Sequence, residues 1–174
     1  MHKEPREAQL VHTEPVAGPA RLVRATVARP PGAEAEAPFR RGDRWSLDVE
    51  WETRDANLRF HLAIGIDRID SVQIASFSTL HDGLEPFAGR TRYRVRLSLS
   101  QIPMIQGEYS VFVYLLDEYA LHAFDSKVVH AAFRVITDEY RIGLLHVPHR
   151  WDAEASEPPA PAAPSGESLE TLAA

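Results

Sequence analysis

The chain has 174 residues, of which 44% are hydrophobic and 25% charged, a balance typical of a globular protein with a hydrophobic core. The formal charge of −6 argues against nucleic acid or anionic lipid as partners, and the absence of cysteine excludes disulfides and thiolate metal sites. No apolar run approaches the ~18 residues of a membrane span, and the N-terminus lacks the apolar segment of a secretory signal. We therefore expect no insertion into a membrane, and the lack of cysteine fits a reducing compartment.

Both ends of the chain have the composition of flexible segments. Residues 1–18 mix Glu, Lys and Pro without periodicity, and residues 153–174 are rich in Pro, Ala and Glu. Such segments cannot bury enough apolar surface to offset the entropy lost on ordering. The sequence therefore predicts a flexible linker at 1–18, one folded domain at 19–152 and a disordered Pro/Ala-rich tail at 153–174.

Between these ends, apolar and polar residues alternate with a period of two, which is the pattern of β-strands. The alternation predicts strands over Ala20–Ala28, Asp43–Thr53, Leu58–Asp67, Ser71–Thr79, Gly89–Ser100, Gly107–Asp117, Val128–Ile136 and, before Pro148, Gly143–Val147. No long stretch has the 3.6-residue period of an amphipathic helix. Short strands separated by turn residues predict an all-β fold, an immunoglobulin-like antiparallel β-sandwich, in which Ser98–Gln106 crosses between the sheets.

Several segments, taken in order, resemble the C-terminal domain of Wzt, the ATP-binding subunit of bacterial O-antigen ABC exporters. The likeness runs from about Leu22 to Trp151. It is carried by Phe39-Arg-Arg-Gly-Asp43 before the Trp45–Trp51 strand, Phe60–Ile66 followed by Val72–Thr79, Gly107-Glu-Tyr109 before a strand that ends at Asp117, Phe133-Arg-Val135, and Gly143…Trp151. The family has a Gly in the turn of its central hairpin and an Asn-Thr pair after it. This chain instead has Arg68-Ile69-Asp70 and Ser78-Thr79.

The resemblance implies a non-catalytic, cytoplasmic domain that binds a cell-surface polysaccharide of O-antigen type and couples it to export by an ABC transporter. The implied partners are the polysaccharide and the ATPase and membrane subunits of the transporter, with no cofactor. The family also forms homodimers that exchange a C-terminal strand, for which Gly143–Trp151 is the candidate here. Because the sequence lacks Gly-x-x-x-x-Gly-Lys-Ser/Thr, we expect no ATP hydrolysis by these residues.

The Gly107–Asp117 segment is the first candidate for a binding surface, because both of its faces are largely apolar. Tyr109, Val111, Val113 and Leu115 form one face, and Ser110, Phe112, Tyr114 and Leu116 form the other. One face must meet the core. Phe112 and Tyr114 would then offer aromatic rings to a sugar, or be covered by a loop or a second protein chain.

Two further groups of polar residues are candidates. Arg90, Arg92, Arg94 and Arg96 share one face of the Gly89–Ser100 strand. Either they form a solvated face paired with Asp48, Glu50 or Glu52, or Arg92 and Arg94 recognise an anionic sugar or a phosphate-bearing glycan. The second group consists of Arg59, His61 and Asp67, with Gln73 on the neighbouring strand. These residues either hydrogen-bond to the hydroxyl groups of a sugar or form a half-buried polar face.

Two other functions remain as alternatives. The first is a structural or protein–protein interaction sandwich that binds no glycan. The second is an enzyme, for which the signals are weak: His146 and His149 would chelate a metal only with a turn at Pro148, and no Gly-x-Ser-x-Gly occurs. We therefore expect neither catalysis nor a metal site.

Overall fold

The computed structural model describes residues 18–29, 32, 37–139 and 142–147. Its eight strands are β1 (Ala20–Ala28), β2 (Phe39–Arg40), β3 (Trp45–Thr53), β4 (His61–Arg68), β5 (Gln73–Ser78), β6 (Arg92–Leu99), β7 (Gly107–Leu116) and β8 (Ala123–Ile136). They form a three-stranded sheet, in the order β1-β3-β6, and a five-stranded sheet, in the order β2-β8-β7-β4-β5. No helix occurs within the described ranges. The predicted all-β sandwich is confirmed.

The alternation predicted from the sequence determines which side chains form the core. One face of β3 is completely buried, and so are the matching faces of β4 and β7. These residues are Trp45, Leu47, Val49, Trp51, Leu62, Ile64, Ile66, Tyr109, Val111, Val113 and Leu115, and Phe60, immediately before β4, is buried with them. Each large apolar side chain removed from water contributes roughly 1.5–3 kcal/mol before the entropy of ordering is counted.

Aromatic clusters lie at both ends of the core. At one end Trp51 stacks on Tyr93 with ring centroids 4.9 Å apart, and Phe87 packs edge-on at 5.3 Å. At the other end Tyr109 stacks on Phe133 at 5.2 Å. Aromatic pairs at these distances add stabilisation beyond the area that they bury. The two sheets are joined at these ends by other ring contacts, between Trp45 and Phe133 at 5.5 Å and between Tyr93 and Phe60 at 5.8 Å.

Strand β2 was not predicted, because two residues are too short for a periodic signal. Phe39 is buried, and β2 pairs with β8 in parallel, whereas the other named pairings are antiparallel. The chain then turns at Gly42, whose φ of 87° favours glycine, and the Asp43 carboxylate accepts a hydrogen bond from the Arg40 N–H at 2.7 Å. In the Phe-x-x-Gly-Asp motif, Phe39 thus packs in the core, and Asp43 stabilises the turn that follows by its hydrogen bond.

The C-terminal segment differs from its prediction. Gly143–Val147 is not a strand: it makes one isolated antiparallel bridge, between Leu145 and Met104. The backbone N–H of His146 also bonds to the carbonyl oxygen of Pro103 at 2.6 Å. The predicted linker up to residue 17, Trp151 and the predicted tail at 153–174 lie outside the described residues. Nowhere in the described ranges is there a helix long and apolar enough to cross a membrane.

Candidate binding faces

The predicted site residues fall on two opposite sides of the sandwich. Phe112, Tyr114 and Gln73 belong to the five-stranded sheet, on what we name the aromatic face. Arg92 and Arg94 belong to the outer surface of the three-stranded sheet, which we name the arginine face. Packed sheets lie about 10 Å apart, so the thickness of the sandwich separates the two groups. They do not form one site.

On the aromatic face, Phe112 and Tyr114 lie opposite the buried side of β7. Tyr114 is 40% exposed and Phe112 is half-buried. In the register of the sheet, Tyr114 is opposite Ala63 of β4, and Phe112 is opposite Gly65. The aromatic rings therefore stand beside two positions that carry almost no side chain.

A shallow trough follows from this pairing, along the outer side of β4. Ala63 and Gly65 form its floor, and Phe112 and Tyr114 of β7 form one wall. On β5, Ser76 is opposite Gly65 and is exposed on the other side of the trough, whereas Ser78, opposite Ala63, is buried. A β-carbon added at Gly65 would lie 3.7 Å from the Phe112 Cβ, which is an ordinary contact. An aromatic wall and a polar wall thus face each other across small residues.

One end of the trough carries a carboxylate with an unsatisfied oxygen. Asp67 is opposite Gln73 on β5 and Ser110 on β7. Its Oδ1 is buried and has no hydrogen-bond partner among the described residues. Burial raises the pKa of Asp67 above its ordinary value, since desolvation disfavours the charged form. The alternation of the strand predicted that Asp67 points outward, but it did not predict that Oδ1 has no hydrogen-bond partner among the described residues.

The other end of the trough is closed. His61 follows the alternation of the outer face, yet it is only 1% exposed, and its Nδ1 lies 3.0 Å from Thr79 Oγ1. Burial, with Arg59 nearby, lowers the pKa of His61 and favours the neutral ring. Arg59 is half-exposed and lies 2.7 Å from the Glu118 carboxylate. His61 therefore supports this end of the trough and does not present its ring to solvent.

The side chains of the arginine face form a network of ion pairs. Arg96 binds the Asp48 carboxylate with two nitrogens at 2.7 Å, and Arg94 lies 3.3 Å from Asp48 and 3.7 Å from Glu50. Hydrogen bonds from Arg96 and Arg94 hold the pKa of Asp48 below its ordinary value. Of the two interpretations open for this row, the structure favours charge pairing for Arg94 and Arg96.

Two adjoining cavities open at one end of the arginine face, with volumes of about 660 and 630 Å³. Glu52 and Arg92 line both of them. Arg54 lines the larger cavity and Arg90 the smaller one. No sequence pattern marks Arg54 as a site residue, because a lone arginine after a strand is not part of any alternation.

The described residues contain no group of three or more His, Asp or Glu side chains placed to hold a metal ion. His122 and Asp117 do approach to 3.1 Å, but within one loop and without a third ligand. His149, the partner considered for His146, lies outside the described residues.

The fold has known counterparts, although sequence comparison finds none. No protein-family model and no curated protein match the chain. Among solved structures, the C-terminal domain of Wzt matches with a TM-score of 0.64 and 9% identity, over 79% of this chain and 85% of that one. Bacteroides uniformis β-glucuronidase matches with a TM-score of 0.47 and 12% identity, over 63% of this chain and 14% of the enzyme. The chain therefore has the fold of the Wzt C-terminal domain, as its sequence segments predict.

Proposed function

We propose that this domain binds, without catalysis, a bacterial cell-surface polysaccharide of O-antigen type on its aromatic face. The observation that carries the proposal is the pair Phe112 and Tyr114, which lie outside the core beside the Ala63–Gly65 floor. Exposed aromatic groups beside a depression mark interaction sites. The shared fold with the Wzt C-terminal domain supports the same function.

The chemistry of the trough suits a sugar chain. The flat rings of Phe112 and Tyr114 would pack against the C–H surface of a pyranose. Ser76, Gln73 and the half-buried carboxylate of Asp67 would hydrogen-bond to hydroxyl groups on the opposite side. A ligand hydroxyl would reach the buried Oδ1 of Asp67 only after the side chains around it move, and it would then satisfy an oxygen that has no partner among the described residues.

We place this function in polysaccharide export. The domain would act in the cytoplasm beside the ATPase and membrane subunits of an ABC transporter. Holding the finished polysaccharide there would raise its local concentration at the transporter. The Wzt-like fold supports this setting, and no step of it requires a cofactor.

Replacing the exposed ring tests the proposal against its rival, a sandwich that binds only protein. In Tyr114→Ala, polysaccharide binding measured by isothermal titration should fall by about tenfold or more, because ring stacking and its buried area are lost. Sedimentation of the variant should be unchanged. Tyr119→Ala, which removes an exposed ring from the loop after β7, is the matched control and should bind normally. Normal binding by Tyr114→Ala, or a broken assembly, would contradict the proposal.

A further inference from the structure

The arginine face has a regular charge pattern across its three strands. The central strand, β3, presents Asp48, Glu50 and Glu52, and β1 and β6 on either side present arginines. In register, Asp48 is opposite Arg96, Glu50 opposite Arg94 and Glu52 opposite Arg92. Opposite charges directly across strands stabilise a sheet, and like charges destabilise it. Within this stretch, each outward arginine of β6 has a carboxylate directly across.

The pattern breaks at the next outward position. The residue two places after Glu52 is Arg54, and the residue two places before Arg92 is Arg90. The side chains of Arg54 and Arg90 have no ion-pair or hydrogen-bond partner among the described residues. Arg92 is 86% exposed and reaches Glu52 only at 3.9 Å. Among the described residues, this end of the face therefore has two guanidinium groups without a carboxylate partner, and a third, that of Arg92, whose only carboxylate is distant and already bound by Arg21.

The carboxylates nearby are already engaged. Glu52 accepts from Arg21 Nε at 2.7 Å, and Asp125 accepts from the backbone N–H of Leu22 at 2.7 Å. Glu50 lies 3.7 Å from Arg94. Within the part of the chain that the structure describes, the charged residues that line the two cavities are five arginines and these three carboxylates, namely Arg21, Arg54, Arg90, Arg92, Arg94, Glu50, Glu52 and Asp125. These described lining residues have an excess of two positive charges, although the formal charge of the protein is −6.

We propose that Arg54, Arg90 and Arg92 form a binding site for a doubly charged oxyanion in these cavities. The planar guanidinium group binds phosphate and carboxylate oxygens in pairs, and a phosphate monoester carries about −1.5 to −2 charges at pH 7. Such a ligand would match the excess charge. The site lies across the sandwich from the aromatic face, so it does not depend on polysaccharide binding there.

Thermal unfolding with simple anions tests the site. Inorganic phosphate and malonate are each added at up to about 10 mM, with sodium chloride holding the ionic strength constant. A ligand that binds only the folded state raises the midpoint of unfolding in a saturable way. We expect this rise with phosphate, with malonate or with both, and their comparison tells a phosphate from a carboxylate ligand. No saturable rise with either anion would overturn the proposal.

Matched variants separate a site from general screening of charge. Arg54→Gln and Arg92→Gln should each weaken anion binding about tenfold or more, since each removes a charge-assisted pair of hydrogen bonds. Arg24→Gln makes the same change of charge on β1, outside both cavities, and should bind as the unmodified protein does. If Arg24→Gln weakens anion binding as much as the other two variants do, the anions only screen the positive charges of the arginine face and do not occupy a site.

Discussion

At the scale of single residues, Asp67 has opposite effects on folding and on binding. Its Oδ1 is buried without a hydrogen-bond partner among the described residues, and a buried polar atom in this state costs about 1–3 kcal/mol. Active and binding sites retain such groups because a ligand can satisfy them. The carboxylate of Asp67 is therefore expected to destabilise the free protein and to contribute to binding.

Asp67→Asn tests this conflict through the pH dependence of stability. Burial raises the pKa of the folded-state carboxyl above its ordinary value of 3.8, so wild-type stability falls as the pH rises through the folded-state pKa. The Asn variant does not titrate. It should be more stable than wild type by about 1 kcal/mol at pH 7, with the difference disappearing near pH 3. Urea unfolding at a series of pH values measures this.

The same variant should bind polysaccharide more weakly, although its fold is more stable. A merely structural Asp67 would change stability and leave binding unaffected. If Asp67→Asn is instead less stable than wild type at pH 7, and this deficit disappears near pH 3, the ionised carboxylate must have a stabilising partner.

At the scale of elements, the β4–β5 hairpin is closed by a residue in a costly conformation. The Ser71 N–H bonds to the Arg68 carbonyl oxygen at 2.8 Å, and Ser71 has a φ of 65°. A turn that ends in a left-handed residue favours glycine there. The hairpin turn in which the family resemblance places a glycine thus has serine at its left-handed position.

Ser71→Gly should therefore stabilise the protein by up to about 1 kcal/mol, because relief of the left-handed backbone exceeds the entropy that glycine adds to the unfolded chain. Ser71→Ala, which keeps the β-carbon, is the control and should bring no gain. Thermal unfolding compares the two. A loss of stability in Ser71→Gly would show that the serine side chain contributes more than the strain costs.

The strands show how much of the fold the sequence contained. Alternation located seven of the eight strands, because a half-buried strand must alternate. It missed β2, which is too short, and it began β8 at Val128 although pairing with β7 starts at Ala123. It also predicted a strand at Gly143–Val147, where the apolar residues form a single bridge. The alternation of apolar and polar residues shows which segments favour the β conformation. The hydrogen bonds to neighbouring strands determine where each strand begins and ends.

The binding faces were predicted only in part, for a related reason. Alternation separates the two sides of a strand but does not say what covers the outer one. His61 and Tyr114 both lie on the outer side, yet His61 is enclosed and Tyr114 is exposed. The trough beside Tyr114 depends on the register that brings Gly65 opposite Phe112, and register follows from the assembled sheet.

At the scale of the whole molecule, the segment around Ile142–Val147 bears on assembly. Ile142 is 89% exposed, and Leu144, Leu145 and Val147 are exposed as well. We propose that this apolar segment pairs with a second copy in a homodimer, as the family resemblance implies. Ile142→Asp should then shift sedimentation toward monomer. A wild-type protein that stays monomeric at every concentration would contradict the dimer without affecting the proposal for the aromatic face.

Isothermal titration of the wild-type chain is the decisive test of polysaccharide binding. The ligand is the O-polysaccharide of the strain that carries this chain, with an unrelated polysaccharide as control. At a protein concentration of about 0.1 mM, sites as weak as about 1 mM still register. We predict saturable heat with the first polysaccharide and none with the second. Equal heats, or no heat with either, would contradict specific polysaccharide binding and favour a domain that binds protein.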